Sequence, residues 1–358
     1  MSKTNELFIS KVDSKLTEIH TSQWSSPSNI ALVKYWGKLD NQIPANPSIS
    51  FTLNECKTIT QLTITPATEL IFEVWSEGAR KLSFEPKIKL FLERIIPYCP
   101  YLSHCQLKIE TTNTFPHSSG IASSASGLSA LSLCIMSLEK SLTPQINDQF
   151  FFQKASFLAR LGSGSAARSV YPSIASWGES AHINESSNLY ATSFGEAHEV
   201  FHNYQDSILL IDEGEKTVSS SIGHNLMHKH PFAAARFEQA NNNLGDLMNV
   251  LKDGDVSKFI QIVESEALTL HAMMMSSNPY FILMKANTLK AIEEIWAYRK
   301  ANNSNICFTL DAGANVHILY PFDEKIAIQQ FIESTLKPFC QNGKVIHDHV
   351  GLGPVKLS

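Results

Sequence analysis

The polar and apolar positions of this chain change their period about halfway along it. In the front part the runs are short: SNIALVKY at 28–35, SISFTL at 48–53 and TITQLTIT at 58–65, the last alternating Thr with Ile or Leu. A period of two is the mark of a half-buried strand. A helix is expected over 85–96, a strand over 106–112 and, after the polar stretch TNTFPHSSG, a helix over 121–138. Residues 147–161 place Phe, Ala and Leu at three- and four-residue spacing and stop at Gly162, a helix with its C-terminal signal. VYPSIASWG and SILLI (207–211) read as strands, after which helical spacing dominates over 231–251, 255–274 and 282–301. Strands at 306–310 and 316–320 flank the turn DAGAN, and a helix follows at 324–337. The class is α+β, with no internal repeat and no Pro/Gly-rich linker. A boundary near 195–205 predicts two lobes, 1–200 and 201–358, packed across a cleft.

Composition narrows the function classes. With 358 residues, 43% hydrophobic and 18% charged, the chain has ample material for buried cores and is not disordered. Its 29 Lys and Arg against 34 Asp and Glu give a net charge of −5, so no global basic field points to nucleic acid or an anionic membrane. Any anion site has to be local. The uncharged run Thr111 to Leu138 is long enough to span a bilayer, but its eight serines, Pro116, His117, Gly120 and Gly127 make it a loop followed by a helix. The start, MSKTNELFISKVDSKL, has no apolar stretch of the secretory kind. Six cysteines without a CxxC pair fit reduced thiols in the cytoplasm.

Four segments carry candidate chemistry. In NIALVKYWGK (29–38), strand geometry would put Lys34, Trp36 and Lys38 on one face, two cations suited to a phosphate or carboxylate. A solvated edge strand guarded by lysines is the plainer reading. In FPHSSGIASSASG (115–127), small residues leading into a helix offer backbone N–H groups to an anion, while the absence of GK[ST] excludes a Walker loop. A Ser-rich cap is the alternative. GSGSAARS (162–169) sets Arg168 beside flexible backbone, a fork for a carboxylate or phosphate, or else a helix end with a surface Arg. In CFTLDAGANVHILY, Asp311 stands where a strand enters a tight turn and faces a cleft or only forms the turn. The histidines of GHNLMHKH (223–230) and HDH (347–349) lack familiar zinc spacing, so no metal ligand is assigned. His228 and Lys229 are candidates in a polar loop over an anion.

Together and in this order, NIALVKYWGK, FPHSSGIASSASG, GSGSAARS and LDAGAN resemble the mevalonate diphosphate decarboxylases of the GHMP kinase superfamily, over about residues 24–320. The resemblance implies a ribosomal protein S5-like N-terminal domain, a C-terminal α+β domain and an active site in the cleft between them. The implied reaction is ATP-dependent decarboxylation of mevalonate 5-diphosphate through phosphorylation of its 3-hydroxyl, with Mg2+. Asp311, Lys34 and Arg168 are the implied catalytic residues, with Lys34 holding Asp311 ionised and Arg168 binding the substrate carboxylate. Tyr35, Trp36, Gly37, Lys38, Arg80, Ser163, Gly164, Ser165, Ala166 and Ala167 are the implied substrate contacts. Ser118, Ser119, Gly120, Ser123 and Ser124 form the implied ATP cradle. The resemblance also implies a cytoplasmic homodimer that binds neither nucleic acid nor membrane. Departures are Ile121, Ala167 and Ala314 where Leu, Cys and Pro are commoner, and a 219–232 stretch without the usual Thr/Ser-rich sequence. The alternatives are a mevalonate 5-phosphate decarboxylase, a mevalonate 3-kinase-like sibling, or a non-catalytic member that binds nucleotide or isoprenoid precursor.

Overall fold

The computed structural model describes residues 5–12, 16–116, 121–214, 218 and 220–358, without the side chains of Ser220 and Ser221. The front half contains β1 (His20–Val33), β2 (Ser48–Pro66), β3 (Ile71–Ser76), β4 (Ala79–Arg80), α1 (Glu85–Ile95), β5 (Cys105–Asn113), α2 (Ser123–Leu142), α3 (Asp148–Gly162), β6 (Ile174–Trp177) and β7 (Ala191–Ser193). The back half contains β8 (Gln205–Leu209), α4 (Ser220–Leu226), α5 (Ala233–Asp253), α6 (Val256–Met275), α7 (Ala286–Asn302), β9 (Cys307–Thr309), β10 (Val316–Tyr320), α8 (Lys325–Phe331), β11 (Val345–His349) and β12 (Val355–Lys356). The α+β expectation holds.

Two sheets organise these elements. The first runs β12-β1-β2-β5-β3-β4, with β6 joined to β2 and β7 to β6; the second runs β11-β8-β10-β9. All pairings are antiparallel except β3 with β5. The two strands expected at 48–53 and 58–65 are one strand, β2, whose burial explains why its pattern looked broken. Residues 48–53 are buried without alternation, whereas from Cys56 every second residue is buried. The early stretch is covered on both faces: Ile49, Phe51 and Leu53 join a core with Leu244, Leu247, Phe259 and Val263 of α5 and α6. Ser48, Ser50 and Thr52 point the other way, toward Arg168 and the Tyr171 carbonyl. Only one face of the later stretch is covered, so alternation returns.

The serines of α2 are explained by close helix-to-sheet packing. Ser26 Oγ donates to Ser129 Oγ at 2.7 Å, Trp24 Nε1 donates to Ser137 Oγ at 2.8 Å, and the Thr58 and Ser126 hydroxyls share a hydrogen bond of 2.6 Å. Short side chains let the helix sit close to β1 and β2, and each buried hydroxyl in these pairs has a partner. Among the described residues no helix is long and apolar enough to cross a membrane.

The halves are stitched by Asp348 on β11, whose carboxylate accepts N–H bonds from Asn54, Glu55 and Cys56 at 2.7–2.8 Å. The HDH motif thus contributes an interstrand staple. The last strand, β12, returns to the first sheet and pairs with Trp24 and Ser25 of β1. The end of β1 meets the segment after α3 where Asn29 Nδ2 donates to Ser169 Oγ at 2.7 Å, and it meets the turn between β9 and β10 where Lys34 reaches Asp311.

Candidate active site

Lys34 is the first residue after β1, and its side chain is only 2% exposed. Its Nζ donates to Asp311 Oδ1 at 3.0 Å across 277 residues of sequence. Asp311 follows β9, retains 29% side-chain exposure, and its carbonyl accepts from His271 Nε2 on α6 at 3.1 Å. The pair is therefore buried on the lysine side and open on the carboxylate side, as a group that receives a substrate proton requires. Burial lowers the Lys34 pKa from its ordinary value, Asp311 and Glu266 oppose that shift, and the Arg168 charge adds to it.

The strand expected to continue through Tyr35 ends at Val33, so Lys34, Trp36 and Lys38 do not share one face. Gly37 has φ of +98°, where a side chain would be strained, and a Cβ there would lie 2.9 Å from the Phe237 ring. The turn drives Trp36 into an apolar cluster with Met227, Leu270, Met273 and Met274. Tyr35 lies against Trp177, with ring centroids 4.8 Å apart. Asn46 Nδ2 donates to the carbonyls of Lys34 (3.0 Å) and Pro47 (2.8 Å), fixing the base of the turn.

Arg168 lies in a 3₁₀ segment, Gly164–Val170, that begins directly after α3 and is packed on Trp177; a Cβ on Gly164 would come within 2.6 Å of that indole. The guanidinium is 1% exposed and donates to Ser50 Oγ (2.9 Å), Ser48 Oγ and Asn29 Oδ1 (3.2 Å). All three acceptors are neutral. Burial pushes the Arg168 pKa down to about 10, still cationic at neutral pH, with Asp311 opposing the drop. The charge is satisfied geometrically but not neutralised by a bonded carboxylate, which leaves it attractive to an anion. Ser163 and Ser165 are half-buried beside it, and the Ser165 carbonyl accepts from Asn29 Nδ2 at 3.1 Å. Ala166 and Ala167 are fully buried and pack into the two neighbouring cores.

A second cationic group lies around Lys38, and sequence reasoning missed most of it. Lys38 is half-buried, and its pKa is lowered by burial and by the nearby Arg94. Lys87, on α1, donates to Ser124 Oγ at 2.6 Å. Crowding by protein atoms and then the Lys38 charge push its ammonium down to about 8, although much of its side chain remains open to solvent. Ser123 and Ser124 start α2, which has no side-chain cap among the described residues, and a helix N-terminus of this kind favours an anion through its amides and dipole. Ser118, Ser119 and Gly120 lie outside the described residues. The one sequence signal at Lys87 is a cation in the first turn of an expected helix, where the dipole disfavours it.

The histidine stretch also resolves differently from its sequence reading. His228 and Lys229 are exposed, whereas His224 of α4 is buried between Tyr35 and Trp36, with ring centroids at 4.3 and 4.7 Å. The Gly37 N–H donates to His224 Nδ1 at 3.0 Å, and burial pushes the ring down to about 3, so it is neutral. Arg80 is not drawn into either cationic group. It is exposed and paired with Glu85 at 2.9 Å and Glu73 at 3.3 Å, so its charge is already matched.

Comparisons with known proteins bear on this geometry. The profile described as the diphosphomevalonate decarboxylase-like N-terminal domain matches residues 26–189, and that of the mevalonate 5-diphosphate decarboxylase C-terminal domain matches 207–354. The diphosphomevalonate decarboxylase of Gibberella zeae is 30% identical over 327 residues, 85% of this chain and 82% of the relative. Among solved structures, one described as MDDEF in complex with MVAPP, AMPPCP and magnesium superposes with a TM-score of 0.82 at 26% identity, covering 95% of this chain and all of that one. The mevalonate diphosphate decarboxylase of Staphylococcus aureus does so with 0.82 at 27%, covering 96% and 100%.

Proposed function

The chain belongs to the diphosphomevalonate decarboxylase family, and on that premise we propose that it converts mevalonate 5-diphosphate and ATP to isopentenyl diphosphate, CO2, ADP and phosphate. The observation that carries the reading is the 3.0 Å pairing of Lys34 with Asp311 near a buried Arg168 whose hydrogen-bond partners among the described residues are neutral.

A tertiary hydroxyl leaves poorly, so its oxygen is first phosphorylated. The Asp311 carboxylate accepts the 3-hydroxyl proton as that oxygen bonds to the γ-phosphorus of ATP and the bond from that phosphorus to the departing ADP breaks. The Lys34 ammonium faces the phosphate charge that grows there. Arg168 holds the C1 carboxylate by its planar fork. When the C3–O bond breaks and phosphate departs, the C1–C2 electron pair becomes the C2=C3 double bond and CO2 leaves. Arg168 must orient the carboxylate without stabilising it more than the transition state, because a group bound too tightly raises the barrier to its own departure.

Lys38, Lys87 and Arg94 supply the cations for the substrate's diphosphate end, and Tyr35, Trp36 and Gly37 shape the turn that holds Lys38 there. Three cations suit a diphosphate better than a monophosphate. Ser163, Gly164 and Ser165 complete the substrate pocket. The N-terminal end of α2, with Ser123 and Ser124 and, outside the described residues, Ser118, Ser119 and Gly120, receives the ATP phosphates. These hydroxyls and the partly exposed Asp311 carboxylate would suit a magnesium ion carried in on the triphosphate, since Mg2+ commonly binds through phosphates, waters and one or two carboxylates. When bound it neutralises phosphate charge. The division into lobes near residue 200, a homodimeric state and a cytoplasmic location belong to this proposal; the six cysteines, all free and buried, fit a reducing compartment.

The test is release of labelled CO2 from C1-labelled mevalonate 5-diphosphate, with and without ATP, beside mevalonate 5-phosphate and mevalonate. ATP-dependent release from the diphosphate is expected. Release chiefly from the monophosphate, phosphorylation without release, or binding without turnover would each replace this reading with one of the alternatives.

A further inference from the structure

We propose that Glu266 and Arg236 form a buried clamp that positions Lys34 and sustains its charge during the reaction, although neither touches substrate. The inference rests on the reading of Lys34 given above and goes beyond it.

The contacts come from three elements. The Lys34 N–H, just after β1, donates to Glu266 Oε2 of α6 at 2.8 Å. Arg236 Nη2 of α5 donates to the Lys34 carbonyl at 3.2 Å. The same guanidinium grips Glu266, with Nη1 to Oε1 at 2.8 Å and Nη2 to Oε2, and Asn243 Nδ2 adds a bond to Oε1 at 2.6 Å. Both side chains of the ion pair are 0% exposed. The peptide groups on either side of the Lys34 Cα are thus read by one acidic and one basic group, which fixes where the side chain begins.

Packing economy does not account for this arrangement. A buried ion pair is often no more stabilising than apolar side chains of the same volume. Here the Arg236 Nε is buried without a hydrogen-bond partner among the described residues, while the rest of the fork serves Glu266, the Lys34 carbonyl and Gln239 Oε1 at 3.2 Å. What the pair provides beyond packing is a fixed negative charge close to a buried ammonium.

That charge matters at one point in the reaction. The charged groups acting on the Lys34 ammonium are Asp311 from the β9–β10 turn, Glu266 from α6 and Arg168 from the 3₁₀ segment, and the buried Asp206 of β8 also lies within reach of its charge. Arg236 from α5 faces its backbone. Burial and Arg168 disfavour the ammonium, while Asp311 and Glu266 support it. Once Asp311 has taken the substrate proton its negative charge is gone. Of the two carboxylates that chiefly support it, Glu266 then remains, gripped by the Arg236 fork, while the transferred phosphoryl group still needs the lysine cation.

The experiment compares pH profiles of kcat for wild type, Glu266→Gln and Glu266→Asp. Removing the negative charge lowers the Lys34 pKa, and activity is lost as pH rises through that pKa. The alkaline limb of Glu266→Gln therefore moves to lower pH, and kcat at neutral pH falls by roughly tenfold or more for a misplaced group. KM for both substrates stays within about twofold, since neither residue contributes substrate binding. Glu266→Asp, which keeps the charge, recovers the wild-type limb. A purely structural role lowers the melting temperature and leaves the limb in place. Should Glu266→Gln not fold, the double variant Glu266→Leu/Arg236→Met, which leaves no lone buried charge, gives the same kcat-against-KM reading. An unmoved limb, or wild-type kcat in the folded double variant, overturns the clamp while the decarboxylase reading stands. No turnover by the wild type overturns both.

Discussion

Arg168→Lys tests the carboxylate subsite with the charge conserved. The wild-type guanidinium directs three separate nitrogens at Ser50 Oγ, Ser48 Oγ and Asn29 Oδ1, and it is 1% exposed, so water does not replace a lost partner. A lysine ammonium is one atom on a flexible stem and cannot stand at three points of a planar fork. It keeps one or two of these contacts and loses the plane against which a substrate carboxylate is set. With hydrogen bonds to charged groups contributing about 2 kcal/mol each, losing one or two costs roughly 2–4 kcal/mol of transition-state binding. At ~1.4 kcal/mol per factor of ten, kcat/KM for the diphosphate substrate falls by about 30- to 1,000-fold. KM for ATP is expected to change by less than about twofold, because the fork is assigned to the carboxylate and not to the nucleotide. Labelled CO2 release gives kcat and both KM values, and thermal melting checks the fold. A folded Arg168→Lys variant within about threefold of wild type would refute the reasoning, since by this account a point charge cannot replace the fork.

Further outcomes follow from the same geometry. Asp311→Asn keeps the shape of the turn but removes the proton acceptor, so turnover falls by about 10²–10⁴-fold with little change in ATP affinity measured by titration; a variant with near-normal turnover removes Asp311 from the mechanism. Lys87 titrates near pH 8 and Lys38 is also lowered, so KM for the diphosphate substrate rises as pH climbs past about 8 and their ammonium groups are lost. Lys87→Arg, which stays charged, flattens that rise, and a wild-type KM constant between about pH 7 and 9 contradicts the assignment. His224 is neutral in the fold down to about pH 3, whereas its unfolded form gains a proton near 6.5. Its contribution to stability is therefore complete above 6.5 and declines by up to ~1.4 kcal/mol per pH unit as pH falls toward 3. Thermal melts of wild type and His224→Gln should converge as pH drops from 7 to 4; parallel curves contradict the buried neutral ring.

Where one face of an element is solvated, the sequence was easy to read. Helices α1, α3, α5, α6 and α7 lie close to their periodic segments, because a stripe of apolar side chains is what a half-exposed helix needs. β2 was read as two strands because its first six residues are buried on both faces and the next two are not, an environment that local period does not encode. β7, β12 and α4 were missed because each is held by distant partners: β7 by β6, β12 by β1, and α4 by the aromatic turn at Tyr35 and Trp36.

The site divides in the same way. Lys34, Arg168 and Asp311 stand in short motifs with unusual composition, and their family resemblance supplied a partner for each. Lys87, Arg94, Arg236 and Glu266 stand in ordinary helical sequence, where a charged residue reads as a solvated face until tertiary packing buries or gathers it. Arg80 shows the converse: a cation close in sequence to the right region, matched by Glu73 and Glu85 on the same surface.

The central claim is that residues from the beginning, middle and end of the chain act on one substrate molecule. A crystal structure with mevalonate 5-diphosphate and a non-hydrolysable ATP analogue tests it most directly. The account predicts the substrate 3-hydroxyl within about 3.2 Å of an Asp311 oxygen, its carboxylate on the Arg168 fork and its diphosphate among Lys38 and Lys87. A substrate whose hydroxyl points away from Asp311, or whose carboxylate lies elsewhere than on Arg168, would contradict it.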